Sequence, residues 1–199
     1  FKYRNPAIIL ADGVIGQMME KVVLPEQRPR LTNEEVMARC PWATFGKLKH
    51  RGPNIVTSLE LDPAEMEKRN IHLQQKYAEI EEKEVRYEEI HCDDAEYLIV
   101  AFGSCARIAQ KAMEEARAEG IKVGLLRPIT LWPFPSKAIA ERSRQVKGIL
   151  TVELNAGQMV EDVRLAVECK VPVEYFGRLG GIVPDPDEVV TALKEKIIK

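Results

Sequence analysis

Tyr97-Leu-Ile-Val-Ala-Phe102 is the stretch on which the fold of this chain turns. It is a short apolar run of strand length, and the residues behind it change period at once. Ile108, Ala109, Ala112, Met113 and Ala116 recur at helical spacing, and Gly120 stops the helix. The alternation then repeats. Ile121-Lys-Val-Gly-Leu-Leu126, Gly148-Ile-Leu-Thr-Val-Glu153 and Val171-Pro-Val-Glu-Tyr-Phe176 are further apolar runs. Each leads, directly or after a loop, into a helix-period segment. Val160, Val163 and Val167 mark one such segment, and Val189, Val190, Leu193 and Ile197 mark the last. Asp185-Pro186-Asp-Glu188 reads as a capping-box start for that last helix, and Ser104 reads as the cap of the first. Strands alternating with helices predict an α/β fold built on a parallel sheet.

Outward from this module the chain is less regular. Ala7-Ile-Ile-Leu-Ala11 is a continuous apolar run and reads as a strand buried on both faces. Such a strand needs neighbours, and the next fifty residues offer few. The chain also lacks an initiating Met, so an N-terminal domain is expected to lie outside it. Residues 25–60 are rich in proline and read as irregular, with Trp42 and Phe45 as their large aromatics. Asp62-Pro63-Ala-Glu65 signals a helix start, and Met66, Leu73, Tyr77 and Ile80 place one apolar face on that helix. The expected divisions are residues 1–24, a connecting loop and linker helix over 25–92, and the α/β domain over 93–199.

Composition narrows the function classes. The 199 residues carry a formal net charge of −2, which argues against a general nucleic-acid role. No apolar run approaches the roughly 20 residues of a membrane span, and the polar start is not a signal sequence. Cys40, Cys92, Cys105 and Cys169 lack metal-finger or redox-pair spacing, which fits a reduced cytoplasmic protein. His91-Cys-Asp-Asp94 collects ligand types, but consecutive residues close poorly around one ion. It reads as a polar turn before a strand.

Parallel sheets place ligands and partners at the carboxyl ends of their strands. Gly103-Ser104 opens a helix there, where backbone N–H groups suit an anion, without any phosphate-loop or dinucleotide motif. Cys105 in the first turn reads either as a favoured thiolate or as a small buried residue. Arg127-Pro128 leads into Leu131-Trp-Pro-Phe-Pro135, a rigid loop with Trp132 as a docking anchor. Glu153 ends the third run and carries a carboxylate toward the same edge. Beyond it Asn155 can cap the next helix, Gly157 admits a close backbone or ligand, and Gln158 follows. Arg178 sits among glycines after the fourth run. The expected rim is therefore Ser104, Arg127, Trp132, Asn155, Gly157, Gln158 and Arg178. No Ser/His/Asp set, acid–base pair or metal site emerges, and His50, His72 and His91 lie outside the module. On chemistry alone this is a binding or assembly module.

Several long segments resemble the alpha subunit of 2-oxoacid:ferredoxin oxidoreductases. They are Asp94 to Arg107, Gly120 to Pro135, Val152 to Met159 and Gly177-Arg178-Leu-Gly-Gly181. Leu10-Ala-Asp-Gly-Val-Ile-Gly-Gln17 resembles the closing strand and turn of the family's pyrimidine-binding domain. The stretch from Asn54-Ile-Val-Thr-Ser58 through Glu84-Val-Arg-Tyr87 looks most like the 2-oxoisovalerate type. The resemblance implies a three-layer domain like the C-terminal domain of transketolase, preceded by a remnant of the pyrimidine-binding domain. It also implies decarboxylation of a 2-oxoacid on thiamine diphosphate, electron transfer to ferredoxin and acyl transfer to coenzyme A. The implied partners are beta, gamma and ferredoxin-like subunits. Mg²⁺ and [4Fe-4S] clusters would belong to the assembled enzyme, with no cofactor on this chain alone and no catalytic residue carried over. Two alternatives stay open: a beta-type component of a lipoamide-linked dehydrogenase, and a stand-alone module binding a nucleotide or coenzyme A.

Overall fold

The computed structural model describes residues 1–44 and 52–198, so Phe45 and His50 lie outside the described residues. The chain forms two compact units, Phe1–Met18 with Gln75–Lys199, and Met19–Gln74.

The larger unit is built on a five-stranded sheet. Its strands are β1 Tyr87–Ile90, β2 Tyr97–Ala101, β3 Val123–Pro128, β4 Ile149–Glu153 and β5 Val173–Gly177, in the spatial order β1-β3-β2-β4-β5. The four strands expected from the apolar runs are all present and mutually parallel. β1 was not foreseen. It adds to the outer edge of β3 in antiparallel register, Tyr87 opposite Pro128 and Glu89 opposite Leu126, and makes the sheet mixed. His91 turns the chain from β1 into β2, so it belongs to the sheet unit rather than lying outside it.

Period-two alternation explains the layers. Ile99 and Ala101 of β2 pack with Leu125 and Val152 against α4 Gly103–Ala118 and α7 Pro186–Leu193. Leu98 and Val100 face the opposite way, onto α5 Ser136–Arg142 and α6 Met159–Val167. Helices on both faces give the three-layer α/β fold, and β2 at its centre is almost wholly excluded from solvent. The capping box expected at Asp185 and Glu188 starts α7, which runs on into a π-helical turn, Lys194–Ile198.

The two ends and edges of the sheet differ. Where β2 and β4 begin, Glu96 pairs with Lys147 at 2.5 Å and Lys122 at 3.9 Å. Arg117 of α4 ties the β1–β2 turn down, donating to Val123 O at 2.8 Å, to His91 O at 3.0 Å and to Asp94 at 2.5 Å. At the β5 edge, Arg164 donates to Val173 O at 3.1 Å and Lys196 to Tyr175 O at 2.8 Å.

The N-terminal expectation is corrected. Ala7–Ala11 forms no strand. Ile8 is 81% and Ile9 96% exposed, because no neighbouring strand lies on either side of them. A run apolar on both faces becomes a buried strand only between two partners. Beyond it Asp12 caps a short helix, α1 Gly13–Gln17. The smaller unit is also more regular than expected. Thr32 and Glu35 form a capping box at the start of α2 Asn33–Arg39, inside the stretch read as irregular. Asn54 then bridges Pro41 O and Ala43 O at 2.7 and 2.8 Å. Asp62 caps α3 Pro63–Lys83 as expected, and Ile80 is the one buried residue of that helix.

Candidate functional site: the carboxyl ends of the sheet strands

The rim residues follow the sheet order. Arg127 lies on β3, Ser104 follows β2, Asn155, Gly157 and Gln158 follow β4, and Arg178 follows β5. The chain leaves β2 toward β3 on one side and β4 toward β5 on the other. The adjacent ends of β2 and β4 therefore form the switch point of the sheet, where open α/β folds receive ligands. Ser104 and Asn155 flank it.

At the β2 end, α4 begins at Gly103, with Phe102 in the cap position and no side-chain cap bond. Ser104 does not cap the helix, as expected from sequence, but lies in its first turn. Its hydroxyl donates to the Asp12 carboxylate at 2.7 Å, and the same carboxylate accepts the Ile15 N–H at 2.8 Å. These two bonds, the Ile15 one foremost, hold the Asp12 carboxyl below its ordinary pKa. Cys105 behind them is 3% exposed, and burial, with Glu153 and Asp12 nearby, pushes its thiol up to about 11. The buried-residue reading of Cys105 therefore holds, since a protonated thiol is a poor nucleophile.

At the β4 end, Glu153 is fully buried rather than presented to the rim. Its carboxylate accepts N–H groups from Gln158 at 3.1 Å, Met159 at 2.8 Å and Val160 at 2.9 Å. It thus caps α6 from the preceding strand, the role that sequence had offered to Asn155. Gln158 occupies the cap position without a side-chain bond. Asn155 instead accepts the Gly157 N–H at 2.7 Å and closes a local turn. Gly157 has φ +97°, and a Cβ there would meet Val160 at 3.3 Å and the Tyr175 ring at 3.6 Å. Tyr175, part of the fourth apolar run, completes the loop by donating its hydroxyl to Asn155 O. Burial raises its pKa first, and Glu153 adds to the effect.

The outer rim is engaged with the chain itself. Arg127 pairs with Glu88 of β1 at 3.1 Å. Arg178 pairs with Glu188, whose carboxyl it holds below the ordinary range. Trp132 is half-exposed and stands edge-on to Tyr77, with ring centroids 5.8 Å apart. Ile129 and Leu131 beside it are exposed, as are Leu179, Ile182 and Val183 after Arg178. The rim is thus apolar at both flanks, with its guanidinium groups already paired. That suits contact with a surface more than capture of a free anion. His91 sits at the opposite end of the sheet.

Among the described residues no three His, Cys, Asp or Glu side chains gather for a metal ion. Cys40, Cys92 and Cys105 are buried, and burial pushes the Cys92 thiol up to about 11. In the His91–Asp94 turn, Cys92 points inward and donates to Leu125 O, while Asp93 pairs with Arg142 and Asp94 with Arg117. No described helix is long and apolar enough to cross a membrane.

Comparison with known proteins agrees with this architecture. Residues 95–189 match the family described as pyruvate:ferredoxin oxidoreductase core domain II. The ketoisovalerate oxidoreductase subunit VorB of Methanothermobacter thermautotrophicus is 46% identical over 194 residues, 98% of this chain and 53% of its own length. The chain thus spans about half the length of the curated relatives it matches first. Among solved structures, a 2-oxoglutarate:ferredoxin oxidoreductase from Magnetococcus marinus superposes with a TM-score of 0.62 at 23% identity. That match covers 73% of this chain and 25% of the other. A split-gene transketolase matches with a TM-score of 0.50 at 21% identity, over 57% of this chain and 41% of its own. At these identities the structural matches speak for the fold alone.

Proposed function

The chain belongs to the 2-oxoacid:ferredoxin oxidoreductase family, and from that premise we propose that it is part of the alpha subunit of a thiamine diphosphate-dependent member acting on 2-oxoisovalerate. The observation that carries the proposal is the 46% identity to a ketoisovalerate oxidoreductase subunit along nearly the whole chain. In the proposed reaction the 2-oxoacid loses CO2, its acyl group passes to coenzyme A, and two electrons pass to ferredoxin. The chain's share is scaffold and subunit contact. Its apolar rim flanks and paired guanidinium groups support that share.

On this reading residues 93–199, with β1 joined at the edge, are the transketolase C-terminal-like domain. Residues 1–24 are the tail of a pyrimidine-binding domain, and 25–92 connect the two. Ser104, Arg127, Trp132, Asn155, Gly157, Gln158 and Arg178 form or shape a surface for a neighbouring subunit. Beta, gamma and ferredoxin-like subunits supply thiamine diphosphate contacts, Mg²⁺ and the iron–sulfur clusters. The assembly works in the cytoplasm, in keeping with four cysteines that form no disulfide.

The test is turnover by the assembled enzyme containing the full alpha subunit. Coenzyme A-dependent ferredoxin reduction is followed with 2-oxoisovalerate, 2-oxoglutarate and pyruvate as substrates. The expected outcome is the highest kcat/KM for 2-oxoisovalerate, with loss of turnover when any subunit is omitted. A preference for 2-oxoglutarate would overturn the substrate assignment. Turnover that needs lipoamide instead of ferredoxin would overturn the enzyme class.

A further inference from the structure

The first eighteen residues contribute no strand to the sheet, yet they are fastened to its unit at two points. Near the start, Lys2 and Tyr3 both donate to the Glu84 carboxylate, at 2.9 and 2.7 Å. Glu84 lies just beyond the end of α3. Farther on, Asp12 accepts the Ser104 hydroxyl at 2.7 Å. Between these points Ala7 to Ala11 stays exposed and outside any helix or strand. The Asp12 bond is the more telling of the two. A residue that only capped α1 would need the Ile15 N–H and nothing else. Here the second carboxylate oxygen crosses 92 residues of sequence to a serine that is 8% exposed, at the switch point of the sheet.

We propose that Asp12 and Ser104 form a latch that seats the N-terminal segment at the switch point, so that the apolar run Ala7–Ala11 leaves the sheet unit at one fixed place. The latch makes Asp12 a positioning residue. It turns a flexible tether into a defined junction, because fixing one end of a segment removes most of the orientations open to the rest. With both ends of the run held, Ala7–Ala11 is presented as a ready strand without a sheet of its own. The proposal goes with the reading of residues 1–24 as the tail of another domain, for which a fixed junction sets domain orientation. The latch itself is tested without reference to that reading.

The test is amide hydrogen exchange on this 199-residue chain, comparing wild type with Ser104→Ala, Ser104→Thr and Asp12→Ala. Ser104 takes no part in the cap of α1, so its hydroxyl separates the latch from local capping. Ser104→Ala is expected to speed exchange at Gly16 and Met18 by about fivefold, the factor carried by one net hydrogen bond of ordinary strength. Ser104→Thr, which keeps the hydroxyl, should restore protection. Combining Ser104→Ala with Asp12→Ala should add less than the two single effects together. Amides of α4 report whether the serine change disturbs its own helix. If Ser104→Ala leaves Gly16 and Met18 unchanged while Asp12→Ala exposes them, Asp12 is only a local cap and the latch is refuted. Neither result depends on ferredoxin reduction, so failure of the latch and failure of the proposed enzyme class are read separately.

Discussion

Two apolar runs in this chain have nearly the same composition and opposite fates. Ala7-Ile-Ile-Leu-Ala11 lies exposed outside any strand, while Leu98-Ile-Val-Ala101 is the sealed centre of a sheet. Side-chain hydrophobicity does not separate them. The second run has β3 on one side, β4 on the other and helices on both faces. The first has none of these. A run of this kind specifies a demand for partners, and the surrounding chain decides whether the demand is met.

Truncation is the most direct way to break this contrast. Leu98→Ala removes a side chain with no solvent exposure and is expected to cost about 3 kcal/mol of stability, within the range for buried leucines. Ile9→Ala should stay within about 0.5 kcal/mol on the same chain, because nothing packs on Ile9. Chemical denaturation of the two variants checks both. Equal losses would mean that Ala7–Ala11 is buried in solution.

Backbone crowding sharpens the comparison at a smaller scale. Gly124 pairs with Leu98, and a Cβ there would come within 2.9 Å of His91 O and 3.0 Å of the Cys92 Cα. These are backbone atoms that cannot swing aside, so Gly124→Ala should cost about 1–3 kcal/mol. Gly13, close behind the exposed run, has nothing within 4 Å of such a Cβ. Gly13→Ala should leave the melting temperature nearly unchanged. A benign Gly124→Ala would show that the β1–β2 turn yields more readily than its contacts suggest.

The smallest effect concerns the turn that feeds β2. Arg117 holds the Asp94 carboxyl below its ordinary value near 3.8. A carboxyl depressed in the folded state adds stability above its unfolded pKa and gives it up as pH falls through the folded one. The melting temperature of wild type should therefore fall more steeply than that of Asp94→Asn as pH drops below about 4, with the gap constant above about pH 5. Asp94 is exposed, so the difference should be slight and fade with added salt. Parallel pH curves for the two proteins would remove Asp94 from the clamp.

What was legible in the sequence follows the same division. β2 to β5 and their helices were readable because each apolar period lies within one short window. β1 was not, since Glu88 and Glu89 interrupt any apolar reading of Tyr87–Ile90. Their charges are matched by Arg127 and Arg142, partners 39 and 53 residues away that no local window contains. The strand before Asp12 was over-read, because composition announced a core that the described chain does not supply. At the rim, position was legible and role was not. Asn155 was a reasonable cap by residue type, but Glu153 takes that part because its strand aims the carboxylate at three successive amides. The Asp12–Ser104 bond had one available signal, an Asp-Gly pair closing an apolar run, and nothing local to name its partner.

The β5 edge has a consequence for how this sheet meets other chains. Sheets grow by lending outward carbonyls and amides to an incoming strand. On β5 the outward carbonyls of Val173 and Tyr175 already accept from Arg164 and Lys196, cations that also repel basic segments. Stacking of copies edge to edge, the first step toward a fibril, meets a stopper on that side. Ordered growth of the sheet is therefore biased to the opposite margin, where only the four residues of β1 are available as a template.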